Sequence, residues 1–471
     1  MPVRSYRPLT LCLVLLSGCA SVPTLPPAAT ARVGDAAILP RTDVAAAWPG
    51  AGWWRSYADP QLDSLMTEAL AGSPDVAVAA ARLRQAEALA EETGADSRPT
   101  LTADGNVGVT KQSYNLGIPR DFVPKGFQDT GRIALSGRID LDLWGRNRAA
   151  LAAATSEAVA ARVDADQAAL TLTTAVADAY AQLAMLYAER DVATAELRIR
   201  TDSGKLVADR AANGLENQGE VRLAEGDVPA ARATLNQLDE SIAQSRNRLA
   251  YLVGATPDRG LRIVRPVLRT GVSARVPADA GIALLGRRPD LVARRLRAEA
   301  AASRIKVARA GFYPDVNLSA LIGLQSLGLG KLIEQGSSIG SAGPAFSLPI
   351  FDGGRLRARY RNAGAIYDEA IADYDQTLLS ALREVADAAA GIDAIDARIA
   401  DQAAAVKAAE AAYTIAQQRY EGGLSARLSV LSAEDRLLTR RRQLVDAQAR
   451  AVTLDIALVR ALGGGYREGQ N

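Results

Sequence analysis

The sequence predicts a mainly α-helical protein that also carries four β-strands, and three observations lead to this fold class. The chain of 471 residues is 48% hydrophobic but only 5% aromatic, which indicates Ala-rich, long and thin helices. Its two halves repeat one order of motifs, and each half contains two segments in which apolar and polar residues alternate. We therefore expect two copies of a unit made of a helix, two strands, a very long helix and a further helix.

Matches at two constant spacings indicate the duplication. Pro74 and Pro289 lie 215 positions apart, as do Pro99 and Pro314. Beyond the strands the spacing is 209, as seen for the pairs Gly145 and Gly354, Gly214 and Gly423, and Gly254 and Gly463. We assign residues 61–260 to the first repeat and residues 261–471 to the second, after a signal at 1–18 and a linker segment at 19–60.

The predicted strands each have one apolar and one polar face. They lie near residues 100–110 and 132–143 in the first repeat, and near 314–324 and 342–351 in the second. A period of two over about ten residues fits a membrane β-barrel strand with one face to lipid and the other to water. An ordinary half-buried soluble sheet has the same periodicity and remains an alternative.

The predicted helices include two of unusual length, at 146–212 and 355–421, followed by helices at 217–253 and 427–462. From Ile371 to Tyr420, apolar residues recur every 3.5 residues on average, which is the coiled-coil period. A helix over 355–421 would be about 100 Å long. It cannot fold back into a compact core, so we expect it to pack against other long helices.

The N-terminus resembles a bacterial lipoprotein signal. Arg4 and Arg7 precede a short apolar stretch and a small-residue cleavage site that ends before Cys19. Lipid on Cys19 would anchor the chain without spanning the membrane, and Ala20 favours the outer membrane in that system. An ordinary secretory signal with a chance Cys is the alternative. After the signal we find no apolar run near the roughly 20 residues of a spanning helix, so a crossing would require strands.

Composition argues against an enzyme. The chain contains no His, which removes Ser-His-Asp and Cys-His nucleophiles and His-based metal sites. Cys12 leaves with the signal and Cys19 carries lipid, so no thiolate cluster remains. The net charge of +2 becomes nearly zero without the two signal arginines, so we expect no nucleic-acid partner. We expect no catalytic site, no metal and no cofactor apart from the lipid.

Four strands cannot close a barrel, so the predicted strands require other copies of the chain. An open sheet edge in lipid leaves backbone groups unsatisfied at several kcal/mol each. Two, three or four copies would give eight, twelve or sixteen strands, and this physical argument does not choose between them. Cyclic symmetry is the expected arrangement.

Several motifs resemble those of the outer-membrane efflux protein (TolC) family. They are the N-terminal motif Trp53–Leu62, the strand-to-helix junctions Leu141–Arg146 and Leu348–Arg355, and the turn Arg419–Leu431. With Cys19, the chain is similar to the lipoprotein branch of OprM and NodT type. The resemblance implies a homotrimer with a 12-stranded β-barrel joined to a long α-helical coiled-coil barrel. It also implies a lipid-anchored protein of the cell outer membrane with a large periplasmic portion.

The same resemblance implies a function. It is that of a passive exit duct for drugs or other small molecules, opened by a periplasmic adaptor protein and an inner-membrane transporter. In this branch the transporter is typically of the resistance-nodulation-division type. Heavy-metal efflux or type I protein secretion through the same duct is an alternative, and so is a periplasmic coiled-coil lipoprotein without a pore.

In this family the turns between the long helices and the helices that follow them form the periplasmic mouth. The implied adaptor-docking residues are Arg210, Gly214, Leu215, Arg419, Gly422, Gly423, Leu424 and Ser425. Both turns read Arg-x-x-x-Gly-Leu, which also suits a plain helix end, since Arg complements the helix dipole and Gly adopts the left-handed conformation.

The gate candidates are residues at or just after these turns. They are Glu220, Tyr420, Leu428, Ser429 and Ser432. The family often places Asp at the positions of Ser429 and Ser432, so an aspartate ring from the second repeat is not expected here. Charge from Glu220, or a hydroxyl-lined or apolar closure involving Leu428, would replace it.

Overall fold

A computed structural model describes residues 22–31, 46–115, 117–268 and 275–469. The signal at 1–18 and Cys19 lie outside the described residues. In chain order the helices and strands are α1 (Pro60–Gly72), α2 (Pro74–Ala95), β1 (Thr100–Thr110), β2 (Gln128–Asp140), α3 (Arg146–Ala212), α4 (Gln218–Leu252), α5 (Pro257–Leu261), α6 (Ala280–Arg287), α7 (Pro289–Ala310), β3 (Asp315–Leu327), β4 (Ser338–Ser347), α8 (Arg355–Glu421) and α9 (Arg427–Ala461).

The duplication is visible in the helix bounds. The long helices α3 and α8 both contain 67 residues, and α4 and α9 both contain 35. Within both pairs the second helix begins 209 positions after the first. The helices before the strands, α2 and α7, both contain 22 residues and begin 215 positions apart. The two spacings found in the sequence therefore separate equivalent structural elements.

The four strands form one antiparallel sheet in the order β1-β2-β3-β4. Strand β2 of the first repeat pairs with β3 of the second, with Leu135 opposite Ile322. One compact unit of the chain contains Leu83–Ala160 together with Arg294–Tyr374, and the other contains Ala161–Ala293 together with Asp375–Asn471. The repeats are thus units of sequence, and each compact unit is built from parts of both.

The predicted bounds of two strands differ from those in the structure. Strand β2 covers Gln128–Asp140 instead of 132–143, because the alternating residues after Asp140 form a helix cap. Asp142 has a φ of 40°, and its carboxylate accepts the backbone N–H groups of Asn147 at 2.9 Å and Arg148 at 3.0 Å. These bonds satisfy the free N–H groups at the start of α3.

Strand β4 covers Ser338–Ser347 instead of 342–351. Pro349 has no N–H for a strand ladder, which fits an end of the strand before it. The early residues of β4 are mostly Ser and Gly, so their apolar alternation is weak. Strand β3, at Asp315–Leu327, continues three residues beyond the predicted end at 324.

One face of the sheet is apolar across all four strands. On it, Leu135 lies opposite Ala103 of β1 and Ile322 of β3. This face is open in the single chain: Val107 is 71% exposed, Ile322 68% and Phe346 80%. A half-buried soluble sheet would cover these side chains, so the exposed face favours the membrane interpretation of the alternation.

The N-terminal motif around Trp53 packs against α3 and α9. Tyr57 is 2% exposed and donates a hydrogen bond to the Asp455 carboxylate at 2.5 Å. Asp59 accepts the Gln61 N–H at the start of α1, and its other oxygen accepts the hydroxyl of Tyr180 at 2.7 Å. Burial and the nearby Asp455 raise the pKa of Tyr57, so it stays a neutral donor. The motif therefore serves packing.

Among the described residues, one helix, α3, has an apolar stretch long enough to cross a membrane by length and composition. The sequence interpretation did not find such a run. However, 61% of that stretch is buried inside the molecule, including Val176, Tyr180 and Leu183. A core helix explains the stretch without a membrane.

Candidate functional site at the helical turns

Both long helices end in the same hydrogen-bonded turn. After α3, Gly214 has a φ of 72°, and the Leu215 N–H donates to the Arg210 carbonyl at 2.8 Å. The Gly214 N–H donates to the carbonyl of Ala211 at 3.0 Å. This pair of bonds is a Schellman motif, which needs the left-handed conformation that glycine adopts easily. The second turn has the equivalent bonds, which are Leu424 to Arg419 at 2.7 Å and Gly423 to Tyr420 at 3.0 Å.

Several of the predicted docking and gate residues lie at the surface of the chain. Leu215 is 65% exposed, Leu424 73% and Leu428 72%. The predicted residues Arg419, Gly422, Gly423, Ser429 and Ser432 are also exposed, and Ser425 is half-buried. Each turn therefore presents an exposed leucine directly after the glycine of the turn. Such leucines can be covered by a protein partner.

Arg210, predicted as a docking residue, lies between the two turns. Its guanidinium donates to the Tyr420 carbonyl at 3.1 Å and lies 4.5 Å from the centre of the Tyr420 ring. The Tyr420 hydroxyl donates to the carboxylate of Glu216 at 2.8 Å. Burial, and then the bond to Glu216, raise the pKa of Tyr420 to about 12, so this hydroxyl keeps its proton at neutral pH. Arg210 and Tyr420 thus tie the α3–α4 turn to the α8–α9 turn.

A second tie joins α9 to α4 through Arg427. This arginine is only 3% exposed, and its guanidinium donates to the Glu220 carbonyl at 2.8 Å and to the Asp227 carboxylate at 3.0 Å. The Glu220 carboxylate lies 3.4 Å away. Glu220, predicted as a gate residue, is therefore engaged within the chain.

A third tie contains the buried acid Glu434 of α9. Its side chain is 0% exposed, and one oxygen lies 3.0 Å from Nε of Arg200 on α3. That contact is an ion pair without hydrogen-bond alignment, and both oxygens lack a hydrogen-bond partner. Burial raises the pKa of Glu434 to about 7; Arg200 opposes this shift, while Asp435, Glu196 and Asp227 add to it. Glu434 therefore changes charge close to physiological pH.

The geometry of this cluster suits a separable contact between two helical hairpins. Side chains of α3 and α4 meet those of α8 and α9 through arginines and carboxylates, and these polar contacts can be exchanged for water. Within the described parts of the chain, no group of three or more His, Cys, Asp or Glu residues could hold a metal ion.

The sequence interpretation missed Arg427, Arg200 and Glu434. A signal existed in the repeat comparison: Arg427 stands where the first repeat has Gln218, and Arg200 stands where the second repeat has Ala409. A charge present in only one repeat cannot serve the shared fold, so it indicates a role specific to that position. The burial of Glu434 gives no such signal, because its repeat equivalent Glu225 is also glutamate and is exposed.

Comparison with known proteins decides which family has this architecture. The profile of the family described as outer membrane efflux protein matches residues 65–255 and 283–464, so that both repeats are covered. The chain belongs to the outer membrane efflux protein family. The family resemblance that the sequence motifs suggested is confirmed.

Two relatives match the sequence of this outer membrane efflux protein over most of their length. The multidrug resistance outer membrane protein MdtP of Escherichia coli K12 is 31% identical over 90% of this chain and 88% of its own. The fusaric acid resistance protein FusA of Burkholderia cepacia is 36% identical over 75% of this chain and 68% of its own.

Solved structures support the same assignment. The crystal structure of the outer membrane protein VceC from Vibrio cholerae matches with a TM-score of 0.85 and 43% identity, over 89% of this chain and 100% of VceC. The predicted TolC-like fold with two repeats is confirmed. The protein is an outer-membrane channel component of an efflux system, as the sequence motifs implied.

Proposed function

We propose that this outer membrane efflux protein is a homotrimeric, passive exit duct of a tripartite pump. Its sheet forms one third of a 12-stranded β-barrel, and its long helices line a continuous α-helical barrel. A periplasmic adaptor docks on the helical turns, and an inner-membrane transporter of the resistance-nodulation-division type supplies the energy. The observation that carries this proposal is the exposed apolar face of a sheet whose two edges are unpaired.

The edge strands explain why the chain needs copies of itself. Within the described residues, β1 pairs only with β2, and β4 pairs only with β3. An unpaired backbone group in lipid costs several kcal/mol, so β4 of one copy pairs with β1 of the next until the barrel closes. Three copies give twelve strands, and the number three follows the family resemblance.

The cargo is a class of small organic molecules. MdtP is named for multidrug resistance and FusA for fusaric acid resistance, which supports export of toxic organic compounds by this duct. A duct without an energy source of its own takes its selectivity from the transporter that loads it.

The N-terminal segment supports a lipid anchor on Cys19. Residues 22–31 contact α8. The Ala29 N–H donates to Asp368 at 3.1 Å. Leu25 packs on Gly364, where an added Cβ atom would lie 3.2 Å from the Leu25 side chain. Gly364 is about 14 Å along α8 from its start beside β4. Leu25 lies six positions after Cys19, and six residue steps can span about 20 Å. Cys19 can therefore reach the level at which the strands leave the membrane.

The channel is tested by placing a charge on each face of β3. We expect wild-type trimers to give discrete single-channel conductance in planar bilayers. Ile322→Lys puts a cation on the apolar face and should abolish insertion, since such a charge costs about 2–4 kcal/mol in each copy. Ser319→Lys, on the polar face, should insert and conduct. A soluble wild-type monomer without conductance, or equal insertion of both variants, would contradict the proposal.

The docking role is tested at the second turn. Leu424→Glu places a charge on a leucine that is 73% exposed, so we expect normal trimers that no longer pull down the adaptor and lose drug export. Leu261→Glu is the control, because Leu261 is 78% exposed but lies on α5. Unchanged adaptor capture by the Leu424 variant would refute docking at this turn.

A further inference from the structure

Helix α8 begins with four arginines that the channel function does not explain. Arg355, Arg357, Arg359 and Arg361 are all exposed. Arg355 interacts electrostatically with Asp352, and the other three form no ion pair among the described residues. Like charges four positions apart on a helix repel each other, and cations are unfavourable near its positive N-terminal end. These arginines therefore cost the fold stability, which indicates a role outside the fold.

The first repeat lacks this group of four arginines. Its equivalents of Arg355 and Arg357 are Arg146 and Arg148. Arg146 lies 3.6 Å from the Asp315 carboxylate, and Arg148 lies 3.2 Å from that of Asp142. The equivalents of Arg359 and Arg361 are both alanines, Ala150 and Ala152. The duplicated fold therefore does not require the additional arginines.

Two of the arginines share a helix face with the N-terminal segment. Arg357, Arg361, Gly364 and Asp368 recur in steps of three and four, which places them on one face of α8. Leu25 packs on Gly364, and the Ala29 N–H bonds to Asp368. The chain that leads back to Cys19 thus lies on the face of Arg357 and Arg361. Because an acyl anchor must reach lipid from outside the channel, this face is the outer one.

Arg355 and Arg359 lie elsewhere on the helix. The buried residues Tyr360 and Ala363, each 8% exposed, separate them from the face of Arg357 and Arg361. The two arginine pairs have the same spacing and the same side chain but flank opposite sides of the buried seam. They form a matched pair for experiment.

Exposed apolar side chains precede the arginines. Ile350 is 91% exposed and Phe351 is 92% exposed, and both lie between the end of β4 and the start of α8. Apolar and aromatic residues followed by cations are typical of a chain that crosses from the acyl region to the headgroups. The order of residues from Phe351 to Arg361 matches that gradient.

We propose that Arg357 and Arg361 form a binding site for the phosphate of an anionic phospholipid, with Phe351 placed against its acyl chains. The site lies on the outer face of α8, beside the segment that carries the lipid anchor. This inference rests on the proposed function, because it requires the sheet to lie in a bilayer. The site fixes the height and tilt of the channel at the membrane surface.

The test is a lipid titration of the full-length protein in detergent, followed by native mass spectrometry. We expect phosphatidylglycerol to bind in preference to phosphatidylcholine. An arginine near an anionic surface contributes about a fivefold effect on binding, so R357Q/R361Q should bind phosphatidylglycerol about 25-fold more weakly. R355Q/R359Q should bind it like the wild type, and R357K/R361K should retain most of the affinity.

Two results would overturn the lipid site. One is equal binding of phosphatidylglycerol and phosphatidylcholine by the wild type. The other is an equal loss of binding in both glutamine variants, since that would indicate general attraction by a basic surface. Conductance of R357Q/R361Q in neutral bilayers separates the two proposals: a conducting variant with unaltered lipid binding refutes only this site, and a wild type that never conducts refutes the channel.

Discussion

Replacing Gly463 with alanine is expected to prevent correct folding of the chain. A Cβ atom at Gly463 would lie 1.9 Å from the Arg287 carbonyl oxygen, and the residue has a φ of 87°. The left-handed conformation alone costs about 1–2 kcal/mol, and overpacking against backbone adds about 1–3 kcal/mol or more. We expect almost no folded protein in outer-membrane fractions, and a strongly lowered unfolding midpoint in any that is recovered.

The matched control for this variant is Gly423→Ala. Gly423 has a similar φ of 73°, but an added Cβ would meet nothing within 4 Å. The Gly423→Ala variant should therefore be destabilised only by the left-handed backbone conformation. Gly254→Ala should behave like Gly463→Ala, because its Cβ would lie 2.1 Å from the Gly72 carbonyl oxygen in the equivalent contact of the first repeat. Similar stability of the Gly463 and Gly423 variants would show that the close backbone contact does not matter.

Glu434→Gln is expected to remove a pH dependence from the stability of the helical turns. The folded-state pKa of Glu434 is raised from 4.5 to about 7, so the folded chain binds the proton more tightly than the unfolded chain. The stability from this group is complete below pH 4.5 and is lost as the pH rises through about 7. The shift corresponds to at most about 3 kcal/mol.

Hydrogen exchange of α9 at pH 5.5 and pH 8 measures this effect. The wild type should exchange faster at pH 8 than the change in intrinsic chemistry explains, and Glu434→Gln should not. The amide leaves Arg200 with its 2.9 Å contact to Asp435. Glu225→Gln is the control, because Glu225 is the repeat equivalent and its side chain is 56% exposed. The same pH response in wild type and Glu434→Gln would disprove the role of Glu434.

Local pattern was sufficient for much of the fold. The long helices α3 and α8 coincide with the predicted segments because their apolar spacing and uninterrupted helix formers persist over many turns. The ends of the strands were harder to predict from the sequence. The alternation of apolar and polar residues continues after Asp140 in the sequence. In the structure, however, Asp142 caps the start of α3, so the strand ends before it. At β4, Ser and Gly conceal the first residues of the strand.

The site was predictable only where it depends on local backbone geometry. The two Schellman turns follow from Gly214 and Gly423, since helix ends are encoded by nearby residues. The ties between hairpins join residues that are some 200 positions apart, such as Arg427 and Glu220. Such contacts depend on which helices become neighbours, and one sequence does not specify that. The contact of Arg210 with Tyr420 was therefore not foreseen, and its docking role stays a prediction.

The pairing of β2 with β3 has a consequence for the ancestry of the protein. It joins the two repeats by the same antiparallel contact that would join neighbouring identical chains, so the covalent link replaces a boundary between subunits. A single-repeat ancestor would have needed twice as many chains in a ring of higher symmetry, with every position equivalent. With two repeats in one chain that symmetry is lower, so equivalent positions can differ, as Gln218 and Arg427 do.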